Sequence, residues 1–294
     1  MHMTQKSILG IFIVLGLASC EALDKEEDIP SYIHIEDIEF NNTNTSLYGY
    51  AGSNITDAWV YADGDFLGVY ALPCDVPVLA SGETELEIGP GIKVNGIGAT
   101  RAINPFYYNW ESTVTLHPDS TVVIEPKVSY HNGTNIAWLE EFEDSSVSLD
   151  TNSYSDVAFE RYKLPATDPT YESYVGMAKV YADAPGLKVL TKSTYTLSAY
   201  GIGVYAELDY SCNQQLVLSV IEDPEDDSQT ETIMIYLNAT TNGSTPVWNH
   251  LYLDLTDVVG DSDADDFGFG ITAYHDSNND TGYFYMDNLK FIYR

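Results

Sequence analysis

Carboxylates are the side chains most available for chemistry in this 294-residue chain, with 45 Asp and Glu against 12 Lys and Arg. Alternating oxygen donors suit a hard cation, which takes about six to eight oxygen ligands. Asp261-Ser262-Asp263-Ala264-Asp265-Asp266 alternates in this way, and so do Asp276, Asn278 and Asp280. Neither is an EF-hand loop, which wants Gly at its sixth position and Glu at its twelfth. Asp266 and Thr272 hold those places in the first segment, and Gly282 comes one residue late in the second. Solvated turns are the simpler reading of both. Glu207 and Asp209 fall on one face of a strand. A glycosidase needs two carboxylates roughly 5–9.5 Å apart, a separation that so acidic a chain meets by chance. His2, His34, His117, His131, His250 and His275 are scattered. There is no Gly-x-Ser-x-Gly elbow, no His-Glu-x-x-His, no Glu-x-Asp-x-x-Glu strand and no phosphate-cradling Gly loop. The chain is therefore read as non-enzymatic.

Aromatic side chains are the other chemical resource. Tyr195, Tyr200, Tyr205, Tyr210, Tyr236, Tyr252, Tyr274, Tyr283 and Tyr285, with Trp138 and Trp248, crowd the second half. Exposed rings stack on sugar faces while Asn, Asp, Arg or Gln bond the hydroxyls. Most strand aromatics pack in cores instead, and Tyr favours strands in itself. The formal net charge of −33 excludes nucleic acid as a partner, because a phosphate backbone demands a basic footprint. At 44% apolar residues the chain builds cores rather than staying disordered.

The elements that must position these groups are strands. Ile33 to Phe40 is mostly alternating, and Trp59 to Tyr70 reads as a hairpin turned by Asp63-Gly64. Segments at 92–99, 112–116 and 121–124 complete a set of about seven strands ending near Lys127. In 128–294 the stretches 195–200, 203–210, 216–221, 232–237, 248–255, 267–271 and 283–293 read as strands. His250, Tyr252 and Asp254 share one face, and Leu251, Leu253 and Leu255 the other. Without helices between strands, Rossmann and TIM-barrel folds are excluded. The expected fold is all-β, with two antiparallel β-sandwich domains at 31–127 and 128–294, the second jelly-roll-like.

The first residues carry an address. Lys6 precedes an apolar run from Ile8 to Leu17, too short to span a bilayer and suited to a secretory signal. The run ends Leu17-Ala18-Ser19-Cys20, which resembles the lipobox of bacterial lipoproteins. That resemblance implies a signal peptide over 1–19 and acylation of Cys20, so outer-membrane lipid is an expected partner. An acidic tether follows over 20–30. In it Lys25-Glu26-Glu27 resembles the short export signal of Bacteroidota surface lipoproteins, which implies an outer-membrane location facing the exterior. Cys74 and Cys212 fall in different expected domains and read as two buried free thiols; two lone cysteines make no zinc site.

Two further resemblances concern the body. Trp59 to Pro73, with its Asp63-Gly64 turn, Gly68 and Pro73, resembles the PEGA-type and carboxypeptidase-regulatory-type small β-sandwiches. It implies a spacer or assembly module without catalytic residues. Trp138-Leu139-Glu140-Glu141-Phe142-Glu143, Trp248 to Leu255 and Tyr285-Met286-Asp287-Asn288-Leu289-Lys290-Phe291 together resemble the galactose-binding-like jelly rolls of carbohydrate-binding modules. That likeness implies a structural calcium held by Glu141 or Glu143 with Asp287, and a ligand-binding, glycan-directed ectodomain. The competing expectations are a structural subunit docking on another surface protein and a glycan-cleaving hydrolase.

Overall fold

The computed structural model describes residues 28–42, 44–50, 52–165, 174–198, 201–223, 229–277 and 280–294. The signal segment, Cys20, Lys25-Glu26-Glu27, Tyr200 and Asn278 lie outside the described residues. The chain is nearly all β.

The first half contributes β1 (Ser31–Ile35), β2 (Glu39–Phe40), β3 (Asp57–Ala62), β4 (Asp65–Ala71), β5 (Cys74–Val78), β6 (Gly82–Lys93), β7 (Arg101–Ile103), β8 (Trp110–Leu116), β9 (Thr121–Ile124) and β10 (Lys127–Val128). β4, β3, β6 and β7 form one antiparallel sheet, and β8 also pairs with β6. Opposite it, β1 runs antiparallel to β5 and parallel to β9, and β2 runs parallel to β10. Ile33, Ile35, Val60, Val76 and Ile88 meet in a common core. The expected Asp63-Gly64 turn joins β3 to β4, with φ of 50° and 84°. Those left-handed angles match the twist of the two strands. The expected strand over 92–99 is corrected. β6 stops at Lys93, because Asn95 and Gly96 take φ of 55° and 66° and turn the chain.

The second half contributes β11 (Asn135–Glu140), β12 (Leu149–Thr151), β13 (Glu160–Lys163), β14 (Tyr174–Val180), β15 (Gly186–Thr191), β16 (Val204–Cys212), β17 (Leu216–Asp223), β18 (Thr230–Leu237), β19 (Asn249–Asp254), β20 (Asp266–Tyr274) and β21 (Gly282–Tyr293). Two antiparallel sheets result. One has six strands in the order β13-β14-β21-β16-β19, with β11 also on β21; the other runs β12-β15-β20-β17-β18. Their facing side chains, among them Leu208, Leu218, Phe269, Ile271, Phe284 and Phe291, form the larger core. Phe142 takes a φ of 54° and packs its ring where Gly176 leaves space. Over 195–198 no strand forms; Tyr195 makes a single bridge to Phe267. The helices among the described residues are short, Thr45–Tyr48 and Thr256–Asp261.

The core of the first half does not close on itself. Tyr205, Tyr252 and Ile292 of the second half belong to it. The outward face of the six-stranded sheet is thus partly roofed by the first half, whereas the five-stranded sheet has no such roof among the described residues.

Candidate functional site

Alternation along β16, β19 and β21 points Leu208, Leu251 and Phe291 into the sandwich and Glu207, Asp209, His250, Tyr252, Asp287 and Lys290 away from it. These polar groups are nonetheless buried, because the first half lies on them. Lys290 Nζ donates to the Tyr48 carbonyl and to the Tyr130 hydroxyl, each at 3.2 Å, and sits 3.6 Å from the Glu207 carboxylate. Tyr130 donates to Glu207 at 3.2 Å. The Tyr107 and Tyr252 hydroxyls meet at 3.4 Å, and the Asn54 N–H donates to Tyr252 at 2.9 Å. Burial, then the charge of Glu207, raises the Tyr130 phenol well above its ordinary range. Glu207 Oε1 has no hydrogen-bond partner among the described residues.

Next to this pair, the His250 ring donates through Nδ1 to Asp209 at 2.7 Å, and the Asn288 amide donates to the other Asp209 oxygen at 2.7 Å. Asn288 is the extra residue of a bulge and takes a φ of 53°, which lets its side chain turn back to Asp209. Burial opposes ionisation of Asp209. The His250 ring, the Asn288 amide and Lys290 outweigh it and hold the carboxyl below its usual range. Gly52 packs over this pair, where an added Cβ would stand 3.0 Å from Asp209. Glu207 and Asp209 do share one strand face, as their spacing predicts. Both are sealed beneath the first half and closed to a polymer substrate.

The residues expected to hold calcium each accept from a backbone N–H. Glu141 accepts from the Tyr50 N–H at 2.8 Å, Glu143 from the Tyr174 N–H at 3.0 Å, and Asp287 from the Asn288 N–H at 2.9 Å. Burial, and then the charges of Asp209, Glu141 and Glu143, push Asp287 up to about 9. Asp287 therefore keeps its proton at neutral pH. Among the described residues no three His, Cys, Asp or Glu side chains are grouped as a metal ligand set. The Asp261–Asp266 segment is the end of a helix and the start of β20, with Ser262 donating to Glu222 at 2.6 Å. Cys74 is half-buried, Cys212 buried, and both are free; burial pushes each thiol up to about 11.

The outward face of the five-stranded sheet is built differently. Register places Lys188, Thr272, Val217 and Tyr236 in one row across β15, β20, β17 and β18. Their chain neighbours Leu187, Val189, Leu216, Leu218, Ile271 and Ala273 point into the core. Tyr236 is 57% exposed, and Tyr274, two residues beyond Thr272 on the same face, is 61% exposed. With strands about 4.8 Å apart and a rise of about 3.4 Å per residue, their Cα atoms lie roughly 12 Å apart. Two or more rings at such spacing form a stacking shelf. The register of β17 and β18 shifts between Leu218 and Ser219, so Ser219 faces Ile233 rather than Met234. This bulge keeps Glu231, Ile233 and Tyr236 on one face. Across it Lys188 Nζ reaches Glu231 at 2.5 Å, and Ser219 donates to the same carboxylate at 2.9 Å. Gly270 lies beneath this bridge, where any Cβ would collide with the Ser219 hydroxyl. The result is an open face with exposed rings beside a half-buried ion pair that the buried Ser219 hydroxyl holds from below.

Of the sequence candidates, Trp138 is buried in the core and donates to Ser148 at 2.9 Å, and Trp248 packs edge-on to Tyr285. Neither lies on the open face. Tyr236 and Tyr274 were legible only as two tyrosines among many. Lys188, Ser219 and Glu231 were missed, since β15 gives a weak pattern and the bulge leaves no mark in composition.

No family model matches the chain, and no curated protein does. Solved structures with similarity include the CBM22-1–GH10 modules of endo-1,4-β-D-xylanase 10B from Clostridium thermocellum, complexed with xylohexaose. That match has 13% identity and a TM-score of 0.36, and covers 54% of this chain but only 28% of the xylanase chain. A carbohydrate-binding module of the β-sandwich superfamily matches over 91% of this chain and 99% of its own, at 13% identity and a TM-score of 0.41. A module specific for non-crystalline cellulose, CBM28, matches over 53% and 93%, at 14% identity and a TM-score of 0.38.

Proposed function

We propose that the chain is a lipid-anchored surface protein of the outer membrane, divided near residue 127, whose second half binds glycan without cleaving it. The observation that carries the binding is the open face of the five-stranded sheet. There Tyr236 and Tyr274 stand exposed beside the half-buried Lys188–Glu231 bridge. Rings of this kind stack on the apolar face of a sugar, and the flanking charged groups bond its hydroxyls. The alternative sites for cleavage, Glu207 and Asp209, are closed. The Cys20 motif supports the anchor, and Lys25-Glu26-Glu27 supports the external face.

A glycan array probed with wild type and with Tyr236→Ala/Tyr274→Ala tests the reading. Retention of a defined glycan class by wild type, and its loss in the double variant, is the expected result. An array on which wild type binds nothing, or on which both proteins bind alike, overturns it. Calcium at Glu141, Glu143 and Asp287 belongs to the same reading. To ligate, Asp287 would surrender its proton, and Glu141 or Glu143 would leave its backbone N–H. Calorimetric titration with calcium on wild type and Asp287→Ala decides that point; identical curves remove the metal.

A further inference from the structure

The first half has an uncovered face of its own. On the outward side of the β4-β3-β6-β8 sheet, register sets Phe66 opposite Tyr61, Tyr61 opposite Glu87, and Glu87 opposite Glu111. Trp59 lies one step along the same face. The Phe66 ring stands 5.7 Å from Trp59 and 5.1 Å from Tyr61, tilted by 31° and 46°. Phe66 is 52% exposed although it is a large apolar ring at the centre of the trio. Beside the rings is a hollow of about 410 Å³ lined by Glu85, Glu87, Glu111 and Thr113 and edged by Gly64.

This face is short of positive charge. Among the described residues, no Lys or Arg forms an ion pair with Glu85, Glu87 or Glu111. Among the described residues Glu87 receives the Asn109 amide, at 2.6 Å. Like charges directly opposite on neighbouring strands repel, and Glu87 and Glu111 are such a pair. A cation placed between them relieves that repulsion, which a neutral sugar would leave in place. The rings select the kind of cation. Aromatic faces attract ammonium and guanidinium groups, and the methylene stems of Lys and Arg pack against them.

We propose that this face docks a Lys- or Arg-rich segment of a partner protein, with a basic head between Glu87 and Glu111 and its stem on Phe66 and Tyr61. This use is separate from glycan binding, since the rings and acids involved lie in the other half of the chain. It is a specific contact, beyond the general attraction of polycations to so acidic a protein.

The test uses the full chain and a fluorescein-labelled peptide of Arg-Gly repeats at physiological salt, read by fluorescence anisotropy. Glu87→Gln/Glu111→Gln and Phe66→Ala are each expected to weaken binding by about fivefold or more. Asp261→Asn/Asp263→Asn, which removes the same charge in the other half of the chain, is expected to leave affinity within about twofold. Phe66→Tyr is expected to retain binding. Equal weakening by both charge-removing variants overturns the proposal in favour of bulk attraction. Displacement of the peptide by millimolar calcium at constant ionic strength overturns it in favour of a metal. Wild-type binding of neutral oligosaccharides that Phe66→Ala abolishes, with peptide binding unchanged, overturns it in favour of a sugar.

Discussion

The two sheets of the second half present opposite outward faces. The six-stranded sheet carries Glu207, Asp209, Asp287 and Lys290 away from its core and then hides them under the first half. The five-stranded sheet carries Lys188, Glu231, Tyr236 and Tyr274 away from the same core and leaves the two rings exposed and the ion pair half-buried. Residue chemistry alone would rank the first face as the active one, because it holds the perturbed acids. Burial reverses the ranking. The charged groups enclosed in this junction bond one another and the first half. The milder face is the one open to solvent.

The comparison breaks most sharply at Lys290. Replacing it with Ala strands the Glu207 carboxylate in a dry site, at a cost of about 3–5 kcal/mol. Urea unfolding of Lys290→Ala is expected to show that loss, and Lys290→Met/Glu207→Leu to recover most of it. If Lys290→Ala unfolds like wild type, the junction is not closed. The matching test on the open sheet is Gly270→Ala, which forces the Ser219 hydroxyl aside; overpacking of this kind costs about 1–3 kcal/mol. Adding Ser219→Ala is expected to restore part of the melting temperature.

A third prediction concerns pH. Asp287 has a folded value near 9 against an ordinary 3.8, so the folded chain holds a proton that the unfolded chain releases. Its neutral form is fully accommodated below the lower value, and its contribution to stability declines as pH rises towards the upper one. The melting temperature is therefore expected to decline from pH 5 to pH 9, and Asp287→Asn to flatten that decline. Equal slopes in the two proteins would place Asp287 in contact with solvent. The smallest effect on stability belongs to the open face, where Tyr236→Ala is expected to stay within about 0.5 kcal/mol by urea unfolding while glycan binding is lost.

Much of the architecture is written in local pattern. The alternation of Leu251, Leu253 and Leu255 with His250, Tyr252 and Asp254 predicts β19 and both its faces, and Asp63-Gly64 predicts the β3–β4 turn. What lies above a face is not local. Tyr252 reads as outward and is outward, yet it is 1% exposed because Tyr107 and the Asn54 segment come from more than a hundred residues away to cover it. The open face is hidden from sequence for a related reason. The bulge that aligns Glu231 with Tyr236 is a property of two strands paired, and neither β17 nor β18 shows it separately.

β21 is the pivot of the whole arrangement. It pairs with β11, β14 and β16, carries Asp287 and Lys290, and comes after all three in chain order. During synthesis those earlier strands wait for their common neighbour, and the junction with the first half waits for Lys290. Long-range pairing of this kind delays closure of the sheet until β21 has been made.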